Sequence, residues 1–182
     1  QSKALLLFDG EALLSRVCRA VSGSVDRIVV VCAQNQELPK LPEGCVCVTD
    51  DLPDAGPLAG LKTGLDVLGD SGGYTFVCGC DHPFLTTAFI SDLLSSSGGT
   101  EAVVVRTDRP QPLCAWYRNV ALHQVAGMLA SGERRLSRLL DRLDVREVFV
   151  DELADRRAML SVNTPEEYEA AVRLARTSGQ KT

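Results

Sequence analysis

Phe76-Val77-Cys78-Gly79-Cys80-Asp81-His82-Pro83-Phe84-Leu85 is the stretch on which the reading of the fold turns. A short apolar, β-prone run ends abruptly in a carboxylate, and a proline follows two residues later. Pro83 has no N–H for a ladder, and it biases His82 towards an extended backbone. The strand therefore stops there and leaves Asp81 at the sheet rim. In an open α/β sheet the C-terminal strand ends line the ligand crevice. A carboxylate at such a rim suits a hard cation such as Mg2+, which binds through oxygen. The same carboxylate can equally close a turn or cap a helix. From this stretch alone the two readings stand level.

Working outward, strands alternate with helices along the whole chain. Leu13, Leu14, Val17, Cys18 and Val21 recur at helical spacing and predict a helix over 11–22 with one buried face. Residues 27–32 are continuously apolar, which predicts a fully buried strand. Residues 34–44 hold two prolines and read as a loop; 45–49 form the next strand, ending at Asp50-Asp51. Gly56-Pro57-Leu58-Ala59-Gly60 opens a helix over 58–68, with Pro57 suited to its first turn. Further helices are predicted over 86–95, 120–130 and 136–143, and strands over 74–78, 102–106 and 147–150. Residues 112–117 read as a strand whose prolines argue for a sheet edge or an irregular start. Thr164, Pro165 and Glu167 stand as N-cap, N1 and N3 of a last helix, the pattern of a capping box. This order predicts a three-layer α/β/α, Rossmann-like fold on a mostly parallel mixed sheet, with right-handed crossovers, in one domain over 1–182.

Composition narrows the function. The chain has 182 residues, 45% hydrophobic and 24% charged, with a formal net charge of −5. That charge argues against a nonspecific grip on nucleic acid or an anionic membrane. A small anionic ligand is compatible with it, because backbone N–H groups and a metal bind anions locally. No apolar run reaches the roughly 18 residues of a membrane span, and no signal-peptide pattern is present. The seven cysteines mostly sit in apolar runs. Cys45/Cys47 and Cys78/Cys80 have one intervening residue, whereas zinc pairs more often have about two to four. They read as small core thiols, which suits a reducing cytoplasm.

Candidate chemistry gathers at the strand ends. Asp50-Asp51 closes one strand, the 56–60 loop follows, and Asp81 closes the next. A doubly wound fold brings these pieces to one edge. Glycines at 56 and 60 let backbone approach a ligand closely, and the loop feeds a helix N-terminus with free N–H groups. A carboxylate such as Asp50 can accept hydrogen bonds from N1 and N2 of a guanine edge. A plain turn and helix start accounts for the same 56–60 loop.

Asp50 with Gly56-Pro57-Leu58-Ala59-Gly60, then Cys80-Asp81-His82-Pro83-Phe84-Leu85, then Gly132-Glu133-Arg134-Arg135, then Val162-Asn163-Thr164-Pro165-Glu166-Glu167 occur in that order. In these blocks the chain resembles the molybdenum cofactor guanylyltransferases, a glycosyltransferase-A-like nucleotidyltransferase family. The resemblance implies an enzyme that transfers GMP from GTP to the terminal phosphate of molybdopterin, releasing pyrophosphate. It implies Asp81 as the Mg2+ ligand, Lys3 as the lysine closing the phosphate-binding signature, and Asp50 as the guanine or ribose contact. Gly56, Pro57, Leu58, Ala59 and Gly60 would lie beside the nucleotide, and Asn163 and Thr164 on the pterin side. Arg134 and Arg135 would meet anionic groups. His82 stands where the family often has methionine and reads as packing; His123 reads as a surface or half-buried helix residue. Client molybdoenzymes or their chaperones are the protein partners that fit, and the cytoplasm is the expected location.

The chain departs from the family at two places. It opens at Gln1-Ser2-Lys3, the tail of the glycine-rich signature, so the resemblance implies an N-terminal strand and loop upstream of it. Cys32 stands where the family often has asparagine, and a thiol hydrogen-bonds weakly. Two other functions fit the same residues: a sister transferase using CTP or another acceptor, and a non-catalytic nucleotide- or cofactor-binding protein.

Overall fold

The computed structural model describes residues 2–50, 52, 56–69 and 72–179. After a 3-10 turn at Lys3–Leu5 come β1 (Leu7–Phe8) and β2 (Glu11–Ala12), paired antiparallel as Leu7↔Ala12 and Phe8↔Glu11. Asp9 and Gly10 form the tip with φ of 54° and 80°. Both central positions of a tight hairpin of this hand need positive φ, which Asp-Gly supplies. The chain then enters α1 (Leu13–Ser22), and all five positions singled out by spacing are buried.

β3 (Ile28–Cys32) and β4 (Cys45–Thr49) pair in parallel. α2 (Pro57–Leu68) leads to β5 (Tyr74–Cys78), α3 (Thr87–Ser95), β6 (Ala102–Arg106) and β7 (Pro110–Arg118). α4 (Gln124–Ala130), α5 (Ser137–Leu140), β8 (Val145–Phe149) and α6 (Pro165–Gly179) complete the order. The larger sheet runs β5-β7-β6-β8; β7 is antiparallel to both neighbours, and β6 and β8 are parallel.

Period-two alternation divides this sheet between two cores. Val103, Val105, Cys114 and Trp116 pack with Val17 and Val21 of α1 and with Phe89, Ile90 and Leu93 of α3. Ala102, Val104, Ala115 and Tyr117 pack on the other face with Leu58 and Leu61 of α2, Val125 and Met128 of α4, and Leu139 of α5. Helices thus cover both faces, the three-layer arrangement expected. Trp116 Nε1 donates to the Ile90 carbonyl at 2.9 Å, so the indole satisfies its polar edge within the core. Among the described residues no helix is long and apolar enough to cross a membrane.

Three expectations are corrected. β3 is only half-buried apart from Val30, because among the described residues it has β4 as its one ladder partner. Of the two expectations for 112–117 the edge is overturned, since the strand lies inside the sheet, while the irregular start holds, since the register shifts where β7 begins. Its prolines are tolerated because β5 pairs only from Cys114 onward, and the β6 register shifts between Val104 and Arg106. Among the described residues the strands also form separate hydrogen-bonded sheets rather than one. Between β8 and α6 the chain makes two 3-10 turns, Val150–Glu152 and Arg156–Met159, that spacing did not reveal.

All the cysteines are free, and burial governs their acidity. Desolvation pushes Cys18 and Cys114 up to about 12 and Cys78 higher still. Cys47 is exposed on β4, with its thiol raised by partial desolvation. The thiolate is the reactive form. Iodoacetamide at mild alkaline pH is therefore expected to label Cys47 well before Cys18, Cys78 or Cys114, as peptide mass mapping over time would show.

Candidate active site

At the end of β5 the ladder runs one residue further, with the Gly79 N–H donating to the Leu113 carbonyl at 3.2 Å. The chain then turns, and the Asp81 carboxylate folds back over Gly79. A Cβ at residue 79 would lie 2.6 Å from Asp81 Oδ1, so a side chain there would displace the carboxylate from this position. The Asp81 carbonyl accepts the Val162 N–H at 2.9 Å, which ties the segment before α6 to the β5 rim.

That tie brings distant residues together. Lys3 Nζ donates to Asn163 Oδ1 at 2.6 Å, across 160 residues of sequence, and lies 3.6 Å from Asp81 Oδ2. Lys3, Asp81 and Asn163, each singled out from sequence, therefore share one centre. Thr164 caps α6 as expected: its Oγ1 accepts the Glu167 N–H at 3.2 Å. Glu167 Oε2 reaches back to the N–H of Thr164 at 3.2 Å and of Asn163 at 2.7 Å. Asn163 Nδ2 donates to Ser161 Oγ at 2.8 Å. With its hydroxyl spent on the cap, Thr164 acts on the helix start. Asn163 stands beside Lys3.

His82 sits 3.8 Å from Asp81 Oδ1 through Nε2. Burial pushes its pKa down against the pull of Asp81, so the ring is neutral near pH 7. Among the described residues its buried Nδ1 has no hydrogen-bond partner.

A second group forms beyond β4. The Asp50 N–H donates to the Cys32 carbonyl at 2.8 Å, extending the ladder to the strand end. Asp50 Oδ1 accepts the Leu52 N–H at 3.0 Å and the Thr63 hydroxyl at 3.4 Å. A Cβ at Gly60 would lie 4.0 Å from Asp50 Oδ2, so this carboxylate stands over the first turns of α2. Leu58 and Ala59 are wholly buried, and any contact from them to a ligand runs through backbone. Cys32 Sγ faces the Val48 carbonyl at 3.4 Å, pointing to β4. Asp51 lies outside the described residues.

The third group backs the α2 N-terminus. α4 ends with the Gly132 N–H on the Leu129 carbonyl and the Glu133 N–H on the Met128 carbonyl, with Gly132 at φ 88°. This is a Schellman ending. Glu133 Oε1 then accepts the N–H groups of Arg134 and Arg135, both at 2.9 Å. Those bonds, that of Arg135 first, hold the carboxyl down to about 2. Arg134 Nη1 donates to the Leu129 and Glu133 carbonyls, so one arm of this guanidinium is tied to the helix end. The Arg134 carbonyl would lie 3.1 Å from a Cβ at Gly56, whose φ is 76°.

Among the described residues no hydrogen bond or ion pair joins the Asp81 and Asp50 groups, and no cluster of three or more His, Cys, Asp or Glu is placed to hold a metal. One cavity of about 300 Å³ lies between the β1–β2 hairpin and α6; another of about 550 Å³ lies between the β6–β7 turn and α5. Neither is lined by Asp81, Lys3, Asp50 or Gly56. Ser161 escaped sequence reasoning. Its signal was faint: in an extended segment residues two apart share a side, which sets Ser161 against Asn163.

The model of the MobA-like NTP transferase domain matches residues 1–148. A probable molybdenum cofactor guanylyltransferase from Mycobacterium marinum is 32% identical over 178 residues, covering 95% of this chain and 86% of that relative. The protein is thus a nucleotidyltransferase. It belongs to the MobA-like family that includes the molybdenum cofactor guanylyltransferases. The fold agrees. Molybdopterin-guanine dinucleotide biosynthesis protein A from Archaeoglobus fulgidus superposes with a TM-score of 0.74 at 22% identity, covering 96% of this chain and 91% of that one. A 2-C-methyl-D-erythritol 4-phosphate cytidylyltransferase from Thermus thermophilus gives 0.74 at 18% identity, covering 96% and 93%.

Gly56 and Gly69 separate two costs of adding a methyl group. Both have positive φ, 76° and 69°, but among the described residues nothing lies within 4 Å of a Cβ at Gly69, whereas one at Gly56 meets the Arg134 carbonyl. With ψ of −175° at both, the backbone term is about 1–3 kcal/mol for an L-residue. Gly56→Ala should lower the urea midpoint more than Gly69→Ala; equal losses would mean that the Arg134 contact carries no weight.

Proposed function

We propose that this enzyme transfers GMP from GTP to the terminal phosphate of molybdopterin, releasing pyrophosphate and forming the guanine dinucleotide cofactor. The observation that carries the reading is the convergence of Lys3, Asp81 and Asn163 at the β5 rim. The curated relative named above supports the choice of guanylyl group and acceptor.

Transfer of this kind asks little covalent help from a protein. An oxygen of the acceptor phosphate attacks the α-phosphorus of GTP; the bond to the β-phosphate oxygen breaks, and pyrophosphate leaves. The nucleophile is already anionic, so the protein needs to align it and stabilise spreading charge rather than supply a strong base. Lys3, with its side chain 42% exposed, has an ammonium free enough to offset charge on the leaving phosphates. His82, neutral and buried, supports the loop that presents Asp81.

The donor set fits a hard divalent cation. Asp81 Oδ2 and Asn163 Oδ1 both face the Lys3 ammonium, and oxygen ligands of this kind, completed by phosphate oxygens and water, suit Mg2+. When bound, such an ion neutralises phosphate charge and orients the triphosphate. Asp50 spends Oδ1 on Leu52 and Thr63, leaving Oδ2 to accept N1–H and N2–H of a guanine or a ribose hydroxyl. Beside it the α2 N-terminus opens at Gly56 without a side-chain cap; Pro57 has no N–H and the Ala59 N–H donates to the Gly56 carbonyl at 3.0 Å, which leaves the Leu58 N–H to meet a ligand.

Asp81→Asn is expected to cut GTP turnover by at least about 100-fold with an unchanged circular dichroism spectrum, since it removes a charge from the reacting centre. Pro57→Ala should leave the rate close to that of the native chain. A native Mg2+-dependent rate in Asp81→Asn would sink the assignment, and competition among GTP, CTP and ATP for binding reads the base preference directly.

A further inference from the structure

We infer that Ser161 is a positioning residue: its hydroxyl holds the Asn163 amide in the orientation whose oxygen faces the Lys3–Asp81 centre. The claim deepens the guanylyl-transfer reading and rests on it for the catalytic consequence, though not for the geometry.

An ammonium only donates hydrogen bonds, so the Asn163 atom 2.6 Å from Lys3 Nζ is the oxygen. The amide nitrogen then points the other way, where it meets Ser161 Oγ at 2.8 Å. Ser161 accepts that N–H. The backbone around this pair is held on both sides, by Val162 N–H on the Asp81 carbonyl and Asn163 N–H on Glu167 Oε2. The main chain at Asn163 is therefore set, and the amide torsion is the freedom that remains. Terminal torsions of this type are broad and roughly two-fold, so packing alone does not choose between the two ends. Lys3 selects the oxygen, because an ammonium cannot accept; the Ser161 hydroxyl, which can bond either end of an amide, restrains the torsion once Lys3 has set it. Together they present the oxygen to the centre.

With Ser161 in place, two oxygens, Asp81 Oδ2 and Asn163 Oδ1, look towards one cationic position. Without the Ser161 hydroxyl the amide torsion is loosened, and Oδ1 is held towards that position by Lys3 alone. The effect falls on the charge-bearing centre, away from the Asp50 group that would read the base. Loss of Ser161 should thus lower kcat and spare the KM for GTP.

The test has an arm that does not depend on turnover. In 1H–15N spectra the Asn163 side-chain pair is assigned by its loss in Asn163→Ala. Ser161→Ala should shift that pair and speed its hydrogen exchange, with the backbone spectrum otherwise kept, and Ser161→Thr should restore both. In the kinetic arm, Ser161→Ala should reduce kcat about 10-fold, the usual scale for a group that orients a primary contact. In an Asn163→Ala background it should cost nothing more. An unshifted amide pair overturns the proposal, as does an equal kcat loss in both backgrounds. A shifted pair with native kcat overturns the catalytic consequence. If the unsubstituted protein shows no GTP-dependent transfer, the parent reading falls, and the spectra alone decide whether Ser161 orients the amide.

Discussion

One hydrogen bond organises the rim: the Val162 N–H on the Asp81 carbonyl. Without it, the loop after β5 and the approach to α6 would be neighbours by packing only. With it, the residues on either side are in register, and Asn163 arrives where Lys3 and Asp81 already meet. The capping box of α6 reinforces the same point, because Glu167 binds the N–H of Asn163 as well as that of Thr164. A device that starts a helix also fixes a site residue. The apolar support is equally local: Phe8, Leu13, Val162 and Ala171 form a small core against which Phe84 and Tyr168 pack. Phe8 and Phe84 meet edge to face at 5.3 Å, so the loop carrying Asp81 is anchored three residues downstream of the carboxylate.

The ion pair at the centre is not itself a source of stability. Asp81 and Lys3 are 24% and 42% exposed in their side chains and 3.6 Å apart, and such pairs contribute little in water. The fold instead rests on the two cores on either side of the β5-β7-β6-β8 sheet. Separation of this kind leaves the rim groups to be arranged for charge and hydrogen bonding, with their stability supplied from elsewhere in the structure.

Much of this was legible in the sequence, for identifiable reasons. Helix α1 showed itself through the spacing of Leu13, Leu14, Val17, Cys18 and Val21, and α6 through Thr164, Pro165 and Glu167, because caps and amphipathic faces are local signals. The stop at Asp81 was readable because Pro83 ends a ladder for steric reasons. Burial and sheet order were not legible to the same degree. A run such as Ile28–Cys32 has the composition of a covered strand, yet its exposure depends on how many partners it finds. Pro110 and Pro112 weigh against an interior position only where a ladder N–H is needed, and β5 does not reach that far along β7. At the site, Lys3, Asp81 and Asn163 were foreseen as residues but not as contacts. For Arg134, foreseen as an anion contact, the structure adds a bond that the sequence did not reveal, from Nη1 to the Leu129 carbonyl at the end of α4. Which carbonyl a long side chain finds is a tertiary fact with no local pattern.

The contact between the Arg134 carbonyl and Gly56 has an evolutionary corollary. The opening of α2 and the link from α4 to α5 are distant in the chain but interlock as one joint. Variation at either place is constrained by the other, so a lineage that enlarged residue 56 would have to reroute the link in the same step or soon after. The two segments should be inherited as a pair, and chimeras that exchange only one of them between relatives should fold less well than chimeras that exchange both.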